Sequence, residues 1–244
     1  METKLQELVK RLTEAAGKNL ESVVLYGSAA SGNYKPGTSD LNVLCTLVTM
    51  DVQELQLLAP VVHWWTQEEK EPPPLFFLSE ELQRSTDVFA IESLDIQRAH
   101  RVLFGDDPVA KLEVPMNLHR VQVERDLRLL LLRLRQHALL AGKNEMEYTN
   151  TLRRTDSSAL TLLRHTLMSF GEEPPPDPSA LFERVAAATG ADARAFQAVH
   201  EFHEGGTIES DAFQVYDAYM HALEKVIIAM DGLVPKKEWK RVGQ

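Results

Sequence analysis

Apolar residues recur along the start of the chain at the spacing of one helix face: Leu5, Leu8, Val9 and Leu12, with Gly17 placed to end the helix. The period then changes. Ser22–Tyr26 (SVVLY) is a short β-rich run that predicts a strand, and Leu41–Val48 (LNVLCTLV) predicts a second, largely buried one. Between them Gly27–Thr38 is rich in Gly, Ser and Pro and reads as loop and turn. Asp51 followed by Glu54 resembles a capping box that opens a helix to about Trp65, which Pro60 should bend or interrupt. Pro72–Pro74 predicts an extended linker. Leu75–Leu78 (LFFL) predicts a third strand with Ser79 capping the next helix, and Val88–Glu92 (VFAIE) predicts a fourth.

After Pro115 helical spacing takes over. Val123, Leu127, Leu130, Leu131, Leu134 and Ala138 share a face, and Gly142 ends that stretch. Further helices are expected over about 146–170, 179–189, 191–204 and 211–231, with the PPPDP segment at 174–178 separating two of them. The expected fold is α+β. A mixed sheet with flanking helices occupies residues 1–112, and a helical bundle occupies 113–244.

Composition narrows the functional classes. No apolar run reaches the roughly 18–20 residues of a membrane span, and the amphipathic N-terminus lacks the form of a secretory signal. The single cysteine, Cys45, cannot form an internal disulfide, fits a cytoplasmic protein and excludes a cysteine-based zinc cluster. Net charge is −10, with 10 Lys+Arg against 17 Asp+Glu in residues 1–112 and 16 against 19 in residues 113–244. Neither half has the electropositive balance of a nucleic-acid binder.

The stretch from Leu25 to Leu47, LYGSAASGNYKPGTSDLNVLCTL, carries the chemistry. A strand runs into Gly27-Ser28, and Ser39-Asp40-Leu41-Asn42 leads into the next strand. Gly27 allows close approach of backbone to a ligand, and Ser28 offers a hydroxyl and a backbone N–H to a phosphate oxygen. Side chains two apart on a strand point the same way, so Asp40 and Asn42 are expected to project together toward the Gly-Ser turn. Two carboxylates so placed would hold Mg²⁺ against a triphosphate.

This stretch resembles the hG[GS]…[DE]x[DE]h motif of the DNA polymerase β-like nucleotidyltransferase superfamily, whose members include kanamycin- and streptomycin-type adenylyltransferases. The resemblance covers about 105 residues of the N-terminal half; the helical remainder matches such families only in class. It implies that Gly27, Ser28 and Ser39 bind the nucleotide, that Asp40 is catalytic and a metal ligand, and that position 42 is the second ligand. That position is Asn42, where the family's catalysts carry Asp or Glu. The exchange removes a unit charge, worth on the order of 4 kcal/mol for a pair about 4 Å apart at an effective dielectric near 20. Family catalysts also carry a third carboxylate on a later strand. Glu92 is the first choice for this catalytic and metal-binding role and Asp95 the second.

The resemblance thus implies Mg²⁺-dependent transfer of a nucleoside monophosphate from ATP or another nucleoside triphosphate to a hydroxyl of a small molecule or protein. Asn42 keeps a second reading open, a nucleotide-binding or partner-binding module that has lost catalysis, as in one half of a toxin–antitoxin pair. Weaker signals stand elsewhere. Arg194 and His200 have the loose spacing of helical HEPN-type ribonucleases but read as surface residues, and His200 and His203 lack an acidic third ligand at the usual spacing. Arg120, Arg128 and Arg135 form a solvated or cleft-facing stripe.

Overall fold

A computed structural model of the protein describes residues 1–32, 34, 40–205 and 211–233. The chain divides into two compact units, Met1–Pro115 and Met116–Gln244.

In the first unit α1 (Glu2–Ala16) leads into β1 (Leu20–Tyr26), and β2 (Asn42–Leu47) returns antiparallel to it. Helix α2 (Val52–Gln67) then precedes β3 (Leu75–Leu78), α3 (Ser79–Arg84), α4 (Ala90–Arg98) and β4 (His100–Gly105). The sheet order is β3-β2-β1-β4, with β3 parallel to β2 and β4 antiparallel to β1. Alternation along the two central strands sorts their side chains between two cores. Val23, Leu25, Val43, Cys45 and Leu47 pack with Leu5, Leu8 and Leu12 of α1 and Leu58, Val61 and Trp65 of α2. Val24 and Leu44 face the other way, against Leu82 of α3, Ile96 of α4, Val109 and Leu112. Helices therefore cover both faces, which is why β2 reads as a nearly continuous apolar run. Thr46, the polar break in that run, is 1% exposed, and its hydroxyl is 2.7 Å from that of Ser22 on β1.

Three local expectations are corrected. Val88–Glu92 is not a strand: Ala90, Ile91 and Glu92 begin α4, while Val88 and Phe89 are exposed. A short apolar run has no period of its own, and here Ile91 and Ile96 bury one side of a helix. The fourth strand is β4, which begins eight residues after Glu92, at His100. Second, of the bend or interruption expected at Pro60, the interruption does not occur, and α2 runs as one helix through it. Asp51 caps it as expected, accepting the Glu54 N–H at 3.0 Å. Third, Ser79 is the first residue of α3 rather than its cap, and its hydroxyl donates to Glu21 on β1 at 2.6 Å.

In the second unit the described elements are helices: α5 (Met116–Ala141), α6 (Glu145–Ser169), α7 (Pro178–Thr189), α8 (Ala193–His203) and α9 (Ala212–Asp231). Val123, Leu127, Leu130, Leu131 and Leu134 form the buried side of α5, matching the helical spacing of the sequence. Polar cross-links join the helices. His119 Nε2 lies 2.8 Å from His165 Nδ1 with both residues fully buried, and the Tyr216 hydroxyl donates to the Leu134 carbonyl at 2.8 Å. Among the described residues, no helix is long and apolar enough to cross a membrane.

Candidate functional site

The pairing register of β1 and β2 sets Tyr26 opposite Asn42, so Gly27 is the first residue to leave the sheet beside the Asn42 side chain. Gly27 has φ +77°, a left-handed conformation that a side chain disfavours, and a Cβ there would sit 3.4 Å from Asn42 Nδ2. On the other side the Gly27 N–H donates to the Ala99 carbonyl at 2.9 Å, just ahead of β4. The turn is therefore pinned between the two strands that flank β1.

Gly27–Ala29 forms a single 3₁₀ turn, and its carbonyl at Gly27 accepts from the N–H groups of Ala30 and Ser31 at 3.0 and 3.1 Å. The leading amides of such a turn, those of Ser28 and Ala29, have no acceptor within it and form the donor end suited to a phosphate oxygen. Ser28 is half-buried at this end.

Asp40 is exposed and stands two residues ahead of Asn42, which opens β2 and is half-buried. The structure thus brings Gly27, Ser28 and Asn42 to one edge of the sheet, with Asp40 on the chain segment that enters it. Ser39 lies outside the described residues. Glu92 is exposed in the first turn of α4, and Asp95 is exposed one turn later, so neither is a strand residue as the resemblance implies. The two later strands, LFFL and HRVLFG, carry no acid. Among the described residues, no three His, Cys, Asp or Glu side chains group as a metal cluster.

Two residues at this edge escaped the sequence reading. Glu71, in the Pro-rich segment ahead of β3, turns its carboxylate onto the entry to β2: its Oε2 accepts the Leu41 N–H at 2.9 Å. The contact spans thirty residues, and only the parallel pairing of β3 with β2 brings the two segments together. His100, opposite Tyr26 at the start of β4, has Nδ1 3.1 Å from the Gln97 carbonyl and Nε2 3.1 Å from Asp107 Oδ2. Desolvation works to raise the Asp107 carboxyl. The bonds from His100 and from the Val109 and Ala110 amides outweigh it and hold the group below its usual range. Burial pushes the Cys45 thiol far above its usual range, so that cysteine is a packing residue rather than a nucleophile. The groove of about 380 Å³ between α1 and β4, lined by Glu2, Leu5, Val9, Arg101 and neighbours, contains none of the expected site residues.

The signals in the helical unit resolve as structure. Arg120 and Arg128 both pair with Glu124, and Arg128 and Arg135 reach Asp231 and Glu224 of α9. Arg194 is 90% exposed and paired with Asp192 beside it, whereas His200 turns inward to the buried Asp156 at 3.0 Å. His203 Nδ1 lies 3.0 Å from the Arg153 carbonyl.

No family model and no curated protein matches this chain. A solved structure does: a spectinomycin adenyltransferase from Enterococcus faecialis, determined with ATP and spectinomycin, superposes with a TM-score of 0.53 over 92% of this chain and 98% of that one. Identity between the two is 15%. The chain shares the fold of that adenyltransferase. The likeness extends past the strand-turn-strand edge to most of the helical unit, which the motif resemblance had matched only in class.

Proposed function

We propose that this protein is a nucleotidyltransferase that moves a nucleoside monophosphate from ATP or a similar nucleoside triphosphate to a hydroxyl of a small molecule. The observation that carries the reading is the Tyr26–Asn42 register. It sets Gly27 beside Asn42, which supports the arrangement that the motif implies. The solved adenyltransferase with the same fold was determined with ATP and spectinomycin, which supports the same classes of ligand here.

Asp40 and Asn42 are the residues that would hold one Mg²⁺ delivered with its triphosphate, Asp40 through a carboxylate and Asn42 through an amide oxygen. Such an ion would neutralise the triphosphate and favour departure of pyrophosphate. The chain's own residues bind and orient. The Ser28 and Ala29 amides receive a phosphate oxygen, Gly27 gives the backbone room to approach, and Asp40 and Asn42 fix the opposite side. In the transfer the acceptor oxygen bonds to the α-phosphorus, the bond from that phosphorus to the bridging oxygen breaks, and pyrophosphate leaves with the electron pair. The hydroxyl proton goes to a base, for which Glu92, exposed on α4 rather than on a strand, is the carboxylate proposed.

A second reading has a specific observation behind it. Asn42 lacks the second charge, and neither β3 nor β4 supplies a third carboxylate, which favours a module that binds Mg²⁺–nucleotide without transfer. Pyrophosphate release during incubation with ATP, Mg²⁺ and a panel of aminoglycoside-type and protein acceptors separates the two. Acceptor-dependent release that Glu92→Gln abolishes supports the enzyme. Tight ATP binding without release under any acceptor supports the module.

A further inference from the structure

Resting on that reading, we propose that Glu71 is a positioning residue: its carboxylate holds the Asp40–Leu41 peptide so that Asp40 and Asn42 present their oxygens to a magnesium-bound triphosphate. Glu71 sits ahead of β3, where its side chain is only 8% exposed. Its Oε2 accepts the Leu41 N–H at 2.9 Å, and that amide belongs to the peptide joining Asp40 to Leu41. This peptide plane contains the Asp40 Cα, so holding it restricts where the Asp40 side chain leaves the backbone. It also fixes the start of β2, one residue ahead of Asn42.

The clamp is itself anchored from two sides. The Glu71 N–H donates to the Trp65 carbonyl at 3.2 Å, and the indole N–H of Trp65, a fully buried residue, donates to the Pro72 carbonyl at 2.9 Å. The other carboxylate oxygen, Oε1, meets the Lys4 ammonium at 3.2 Å, and Lys4 also donates to the Glu69 carbonyl at 3.0 Å. Lys4 is held above its usual range by its bond to Glu69, against the desolvation that burial imposes, with Glu71 adding to the rise. A cation therefore remains beside Glu71 and offsets its charge. Both oxygens are engaged, one by a backbone amide and one by Lys4, which suits a carboxylate that acts through Leu41.

Calorimetric titration of the full chain with ATP, with and without Mg²⁺, tests the assignment across wild type, Glu71→Gln and Glu71→Ala. The amide oxygen of Gln still accepts the Leu41 N–H, so Glu71→Gln should bind Mg²⁺–ATP within about threefold of wild type. Glu71→Ala has no acceptor, and its Mg²⁺-dependent gain in affinity should fall about 10- to 100-fold while metal-free ATP binding stays within about twofold. A merely structural bond would lower both affinities together. Equal Mg²⁺ dependence in Glu71→Ala and wild type overturns the clamp alone. If Glu71→Ala does not fold, Glu71→Gln decides: a loss beyond tenfold there shows that charge, not the hydrogen bond, matters, and also overturns it. Absence of Mg²⁺-dependent ATP binding in wild type overturns the nucleotidyltransferase reading and the clamp with it.

Discussion

Replacing Gly27 by alanine separates backbone strain from the site that Gly27 borders. Gly27 has φ +77°, and Gly17, at the end of α1, has φ +55°. A left-handed conformation costs an L-residue roughly 1–2 kcal/mol relative to glycine. In a unit of this size that corresponds to a fall in Tm of about 4–8 °C. The two positions differ in what a methyl group would meet: nothing within 4 Å at Gly17, the Asn42 amide at 3.4 Å at Gly27. Gly17→Ala and Gly27→Ala should therefore both lose stability. Only Gly27→Ala should also lose nucleotide affinity, by about tenfold or more, because its methyl stands where backbone and phosphate must approach. Differential scanning fluorimetry and ATP calorimetry on the pair check both halves. Unchanged ATP binding in Gly27→Ala, or equal losses of binding in the two variants, would refute the argument.

Asn42→Asp changes almost no volume and restores a charge beside the Gly27-Ser28 turn. It should raise Mg²⁺-dependent ATP affinity in calorimetry, and weaker binding would point to a site rebuilt around the amide. In the helical unit, His119→Ala removes the buried partner of His165 and leaves a cavity, costing about 2–4 kcal/mol in thermal melts; a Tm fall of less than about 2 °C would contradict it. Burial, and then the nearby Tyr148, push the Tyr216 hydroxyl from 10.0 up to about 12, so its contribution is complete below pH 10 and lost as pH rises toward 12. Circular-dichroism melts across that range should show a steeper loss for wild type than for Tyr216→Phe, and parallel curves would argue against it.

The two central strands were legible because SVVLY and LNVLCTLV are apolar runs bounded by turn residues, and burial on both faces produces such runs. The long helices were legible because their buried sides repeat over many turns. VFAIE misled because five residues are too few to distinguish a buried strand from the first turn of a helix. Strand β4 passed unrecognised for a complementary reason. It is an edge strand that starts with His100 and an exposed Arg101, so its pattern is weak until its pairing with β1 is seen. The turn and the Asn42 position followed from spacing alone, because the motif is local. Glu71 did not, because its partner lies thirty residues away and its own segment, EPPPL, reads as a linker. The placement of Glu92 failed together with the strand to which it was assigned.

The claim that Asp40, two residues ahead of Asn42, anchors a magnesium-bound nucleotide has a direct test in isothermal titration of ATP into wild type, Asp40→Ala and Ser28→Ala, each with and without Mg²⁺. The account predicts that wild type binds ATP more tightly when Mg²⁺ is present and that Asp40→Ala abolishes this gain. Ser28→Ala should lose about tenfold or less, because its backbone N–H survives the substitution. Small and equal effects of both substitutions would contradict the account and move the nucleotide to another part of the molecule.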